Sequence, residues 1–340
     1  MARLAIHLPP LRLRNPILSA SGTYGHAAEM RHMADVRSIG GLVSKTVTLK
    51  ERHGNPTPRI CETEAGFLNS IGLENKGLAY YRRELLPSML AIDTCVVTNI
   101  GAECVEDFVE VARQLSEEDA VDALEVNLSC PNVQEGKLPF ATDPAMAARV
   151  ISEVKRATTK PIFAKLSPNV SRISEMAIAV ESAGADAITA VNTVLGMSVD
   201  WRSGKPGLFT VQGGYSGVAI KPIALRCAWE CAKSVKIPVI GCGGITTAAD
   251  VLEFMVVGCR AVQIGTASFG DPAVVGRLAR EISDMLDAAG IGDVNDLVGT
   301  LRVPEMPAKV APSHESGSDP ARDPATAKMR ATQATGGAPA

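Results

Sequence analysis

Short runs of apolar and β-branched residues recur along the chain at 17–21, 41–48, 95–101, 123–130, 161–167, 187–193, 238–244 and 261–267. Each is closed by a turn and followed by a segment whose apolar positions keep helical spacing. Strands alternating with helices imply a parallel sheet, and eight such repeats predict closure into one (β/α)8 TIM barrel over residues 1–302. A doubly wound open α/β sheet is the rival. Asp143-Pro144 and Asp271-Pro272 each place an N-cap residue before a proline at the first helical position. Thr247 and Asp250 have the spacing of a capping box ahead of 251–257.

Two stretches exceed a minimal barrel. Residues 49–80, rich in Gly, Pro and Asn, read as a long insertion after strand two, and 131–142 as a loop directly after strand four. Insertions after strands lie at the C-terminal face of a barrel, where active sites are built. From 303 to 340 there is no Ile, Leu, Phe, Tyr or Trp. Such a segment buries too little apolar surface to offset its ordering entropy, so it is expected to be a disordered tail.

Composition narrows the class. The 340 residues are 46% hydrophobic and 21% charged, enough for a large core. With a net charge of −3 and no block of Lys and Arg, neither nucleic acid nor an anionic membrane is expected as the main partner. Residues 1–15 carry scattered arginines and a Pro9-Pro10 break instead of the apolar core of a signal peptide. The eight cysteines are therefore expected to be reduced thiols in the cytoplasm. Cys227 and Cys231 lie one helical turn apart without a CxxC pair, so no metal or iron–sulfur site is expected in this chain. Seven of the eight read as packed structural thiols.

Chemistry concentrates where strands end. Strand seven finishes in Gly241-Cys242-Gly243-Gly244 and strand eight in Gly265-Thr266. Glycines there let backbone N–H groups approach an anion, and these two loops are the recurrent phosphate site of a barrel. Lys45 and Lys165 sit within strands, and a lysine inside a closed barrel needs an anion nearby. A reduced flavin or a substrate carboxylate meets that need; a Schiff-base lysine is the sharper rival. Asn69, Asn99, Asn127, Asn192 and Asn132 gather at the same face, each offering a donor and an acceptor suited to an isoalloxazine or a pyrimidine. Cys130 ends strand four ahead of Pro131. A thiol at a barrel mouth near lysines loses its proton more readily than a free one and suits a base or a nucleophile.

The string Asn127-Leu128-Ser129-Cys130-Pro131-Asn132 resembles the active-site signature of the class 1 dihydroorotate dehydrogenases. The resemblance extends over roughly residues 3 to 302. It takes in Ser19-Ala20-Ser21-Gly22, Lys45-Thr46, Gly54-Asn55-Pro56, Asn69-Ser70-Ile71-Gly72-Leu73, Asn192-Thr193, Tyr215-Ser216-Gly217 and the glycines of strands seven and eight. Cysteine at 130 sets the chain apart from the membrane-associated class 2 enzymes, which use serine. The segment from Glu62 to Leu73 is most similar to class 1B, the NAD-linked type. Nothing in the family corresponds to residues 303–340.

The resemblance implies FMN-dependent oxidation of (S)-dihydroorotate to orotate in pyrimidine biosynthesis. Cys130 would take the C5 proton as hydride leaves C6 for flavin N5, and Lys165 would offset charge growing on the ring. Ser21, Lys45, Thr46, Asn99, Asn127, Lys165, Val191 and Gly217 would frame the flavin, with Gly243, Gly244, Gly265 and Thr266 on its phosphate. Lys45, Asn69, Ser70, Ile71, Gly72, Leu73, Asn127, Asn192 and Thr193 would hold the substrate, under a loop that closes after Cys130. Class 1B further implies a homodimer flanked by two electron-transfer subunits with FAD and a [2Fe–2S] cluster. Three readings stay open beside it: fumarate as acceptor (class 1A), another pyrimidine as substrate, and a barrel that only binds phosphate ligands.

Overall fold

The computed structural model describes residues 1–26, 29–129 and 140–304. Eight parallel strands close into a barrel. They are β1 (Ile17–Ser19), β2 (Gly41–Val43), β3 (Cys95–Ile100), β4 (Ala123–Asn127), β5 (Ile162–Leu166), β6 (Ala187–Ala190), β7 (Val239–Cys242) and β8 (Ala261–Ile264). Neighbours in the barrel are neighbours in sequence, and β8 pairs back onto β1 from Val262↔Ile17 to Ile264↔Ser19. Every strand starts within one residue of its expected position and ends sooner. The ladder stops at the mouth, while the apolar run continues into the loop. β4 and β5 are buried at every position because one face looks into the lumen and the other onto helices.

The longer helices of the outer layer are α1 (Val105–Ser116), α2 (Pro144–Ala157), α3 (Ile173–Ser182), α4 (Lys221–Ser234), α5 (Ala248–Val256) and α6 (Val274–Ala288), and between β2 and β3 the helical turns Leu78–Tyr80, Tyr81–Leu85 and Leu86–Leu90 follow one another. α1 buries Val105, Phe108, Val111, Ala112 and Leu115, spaced by three and four, so one stripe faces the sheet. α2 opens on Pro144, with Asp143 Oδ1 accepting from Ala145 N at 2.8 Å. Both halves of the Thr247–Asp250 capping box are present at α5. The Asp271-Pro272 expectation is corrected: α6 has Ala273 as its N-cap. Asp271 instead caps the preceding turn, accepting from Ala273 N at 3.0 Å and pairing with Arg277 at 2.9 Å. Only turns are described between β1 and β2.

The insertions build a lid of their own. A four-stranded antiparallel sheet runs in the order Val194–Met197, Gln212–Ser216, Gly66–Asn69, Ile60–Thr63. Half of it comes from the expected insertion after β2. The other half comes from a third insertion, after β6, that the sequence reading missed. Its strands are short and glycine-rich, which reads as loop, yet the glycines are what close packing requires. A Cβ on Gly213 would lie 2.5 Å from Asn69 O, and one on Gly214 2.1 Å from Thr193 Oγ1. An unexpected N-terminal hairpin, Ile6–Leu8 with Leu11–Leu13, adds Leu8 and Leu13 to the core. Cys130, residues 131–139 of the loop expected after it, and residues 305–340 of the expected tail lie outside the described residues. Among the described residues no helix is long and apolar enough to cross a membrane.

Candidate active site

The centre of the barrel is polar. Barrel interiors are usually filled by branched apolar side chains, but here Asn99, Glu125, Lys165, Thr189 and Gln263 meet from five strands, all buried. Strand pairing puts Asn99 opposite Glu125 and Lys165 opposite both Asn127 and Thr189, so Lys165 stands two residues further along its strand than the partner of Glu125. Glu125 accepts from Asn99 Nδ2 at 2.7 Å, from Thr189 Oγ1 at 2.8 Å, from Lys165 Nζ at 3.3 Å and from Gln263 Nε2. Lys165 Nζ donates also to Gln263 Oε1 at 3.0 Å and to Ser21 Oγ at 3.2 Å, at the end of β1. Thr46 Oγ1 donates to Asn99 Oδ1 at 2.6 Å, so the column reaches the mouth through both Ser21 and Thr46.

This pairing bears on the Schiff-base rival. Burial pulls the Lys165 ammonium toward neutrality, but the Glu125 carboxylate and the Cys242 thiol act against it, and the net shift is upward. A nucleophilic amine needs the opposite. Burial also raises the Cys242 thiol, with Lys165 opposing.

Above the column lies a half-buried ring. Asn192 Nδ2 donates to Asn127 Oδ1 at 3.2 Å, and Thr193 N donates to Asn192 Oδ1 at 2.8 Å. Asn69 Nδ2 donates to Gly214 O at 3.3 Å, which ties the 60–73 segment to the insertion after β6. Ser70 Oγ accepts from Asn55 Nδ2 at 2.9 Å and from Thr210 Oγ1 at 2.6 Å; Ile71, Gly72 and Leu73 follow it, half-buried. Lys45, half-buried past β2, has no carboxylate partner among the described residues. Its charge is felt by His26, a buried ring 5.5 Å from Tyr81. Burial lowers the His26 pKa to about 4, with Glu29 opposing and Lys45 assisting. Its Nδ1 meets no partner among the described residues.

A cradle forms where β7 and β8 end. Gly243 and Gly244 take φ of 134° and 73°, and a Cβ on Gly244 would lie 2.6 Å from Lys221 N at the start of α4. Gly22, past β1, has φ of 80° and open space where a side chain would be. Ser268 Oγ, buried in the turn after Gly265, has no partner among the described residues. Thr266 Oγ1 bonds Ser216 Oγ at 2.8 Å, holding this loop to the lid sheet beside Gly217. An orphan hydroxyl in one loop and, in the other, glycines at positive φ that leave no room for a Cβ fit an anion-binding cradle.

The family model for dihydroorotate dehydrogenase matches residues 3–286. The chain belongs to the dihydroorotate dehydrogenase family. It is 44% identical over 300 residues to a Geotalea daltonii protein, covering 88% of this chain and 98% of the relative. A Bacteroides fragilis protein is 43% identical over 303 residues (89% and 100%), and one from Pelobacter propionicus 46% over 298 (88% and 98%). All three carry the name dihydroorotate dehydrogenase B (NAD(+)), catalytic subunit. Within the dihydroorotate dehydrogenases the chain is of this NAD-linked class 1B catalytic-subunit type.

The sequence reading of this dihydroorotate dehydrogenase missed Glu125, Thr189 and Gln263. Glu125 stands in the apolar run Leu124-Glu125-Val126 as Lys165 stands in Ala164-Lys165-Leu166. A carboxylate inside such a run needs a buried partner as much as an ammonium does. Of the seven described cysteines, Cys227, Cys231, Cys242 and Cys259 are buried and Cys61, Cys95 and Cys104 half-buried; all seven are free thiols.

Proposed function

We propose that the chain oxidises (S)-dihydroorotate to orotate in pyrimidine biosynthesis, with FMN as its cofactor. The observation that carries this reading is the polar column, which ends in a buried ammonium beneath a mouth lined with amides. FMN, when bound, supplies the acceptor, at N5, for the hydride that leaves C6. Ser21, Lys45, Thr46, Asn99, Asn127, Val191 and Gly217 would frame its ring and ribityl chain. Gly243, Gly244, Gly265 and Thr266 would hold its phosphate.

The protein's own residues do the rest. Lys45, without a carboxylate partner among the described residues, attracts the substrate carboxylate, and Asn69, Asn127, Asn192 and Thr193 orient the pyrimidine with the 70–73 segment. Cys130 takes the C5 proton as a thiolate. Lys165 remains an ammonium and would offset negative charge growing on the reduced ring.

Residues 1–302 form the catalytic barrel in this reading. The chain works in the cytoplasm as a homodimer, with electrons leaving through a separate subunit that carries FAD and a [2Fe–2S] cluster. Apolar side chains exposed around the lid sheet, among them Leu195, Met197, Trp201 and Phe209, support an assembled state. Reduced anaerobically with dihydroorotate, the isolated chain is expected to stay reduced when offered NAD or fumarate separately. Reoxidation by fumarate would place it in class 1A, without need of a partner.

A further inference from the structure

We propose that Glu125 is a positioning residue that keeps Lys165 permanently charged, so that flavin reduction brings no extra proton from solvent onto Lys165. This rests on the FMN reading above. Glu125 is wholly buried and all four of its contacts are donors, as an ionised carboxylate requires. A buried ion pair seldom stabilises a fold more than apolar residues of the same volume. Its place in a barrel centre that would otherwise hold Val, Ile or Leu therefore points to function.

The donors also fix orientation. Because Asn99 and Gln263 turn their NH2 groups to Glu125, Asn99 presents Oδ1 to Thr46 and Gln263 presents Oε1 to Lys165. Two of the three Lys165 protons are thereby held inside the barrel, and the third faces Ser21 at the mouth. The titratable groups that act on Lys165 are Glu125 and the Cys242 thiol.

Dihydroorotate delivers two electrons to the ring with one proton, as hydride. The reduced ring then carries one negative charge, which the standing Lys165 ammonium offsets. Without the Glu125 carboxylate, burial leaves Lys165 a neutral amine while the flavin is oxidised. It then takes a proton from solvent as the negative charge arrives.

The pH dependence of the flavin midpoint potential counts these protons. The parent protein is expected to take up about one proton per two electrons around neutral pH, and FMN-loaded Glu125→Gln about two, by the linkage of pKa to charge. Glu125→Asp, which keeps the charge, is expected to return to about one, and it decides the matter if the Gln variant does not fold. In a Lys165→Met background, Glu125→Gln is expected to leave the count unchanged. A Glu125→Gln count equal to that of the parent, or an Asp count near two, overturns the inference while leaving FMN chemistry intact. Absence of flavin from the parent would overturn the proposed function as well.

Discussion

Lys165 Nζ lies 3.3 Å from Glu125 Oε1 inside the barrel, with their side chains 4% and 0% exposed. A pair this deep is stable only while both members are present. Lys165→Met leaves a carboxylate without its counter-charge and is expected to cost about 3–5 kcal/mol of stability. The double variant Lys165→Met/Glu125→Leu is expected to regain most of that, because apolar side chains suit a barrel interior. Urea unfolding of the parent, both singles and the double closes the cycle. Additive losses in the double would show that the two groups are not coupled.

Gly244→Ala tests the cradle. Its positive φ and a Cβ 2.6 Å from Lys221 N force the loop after β7 away from α4. The expected cost is about 1–3 kcal/mol, with FMN lost on gel filtration. A variant that keeps FMN at the parent stoichiometry would remove this loop from phosphate binding.

Much of this was legible in the chain. The eight barrel strands showed as apolar runs because helices and lumen bury both faces. Lys165 stood out because an ammonium within such a run demands a partner. Glu125 and Gln263 did not, since a single polar residue in a strand reads equally as an outward-facing position. The third insertion was hidden for a different reason. Glycines such as Gly213 and Gly214 weaken strand propensity, and only the facing strand reveals that no larger side chain fits there.

Cys130→Ser separates base from scaffold. A hydroxyl is a poorer base than a thiol near neutral pH, so reduction of bound flavin by dihydroorotate is expected to slow by about 10²-fold or more. The rate should recover partly at alkaline pH, with FMN still bound. Stopped-flow absorbance follows both. Unchanged kinetics would take Cys130 out of the base role.

His26 sets an acid limit. Its pKa of about 4 in the fold lies below the ordinary 6.5, so the folded protein binds fewer protons than the unfolded chain between those values. Stability is therefore full above about pH 6.5 and falls as pH drops toward 4, by up to about 3 kcal/mol. His26→Phe is expected to lose less stability than the parent over that window, read by urea titration at each pH. Parallel losses in the two proteins would mean that His26 is not the group responsible.

The most direct test is an anaerobic titration of the purified chain with dihydroorotate, following the visible flavin spectrum and the orotate formed. The expected result is bleaching of the bound flavin, with about one orotate released per flavin reduced. A flavin that dithionite bleaches but dihydroorotate leaves untouched would contradict the assigned chemistry.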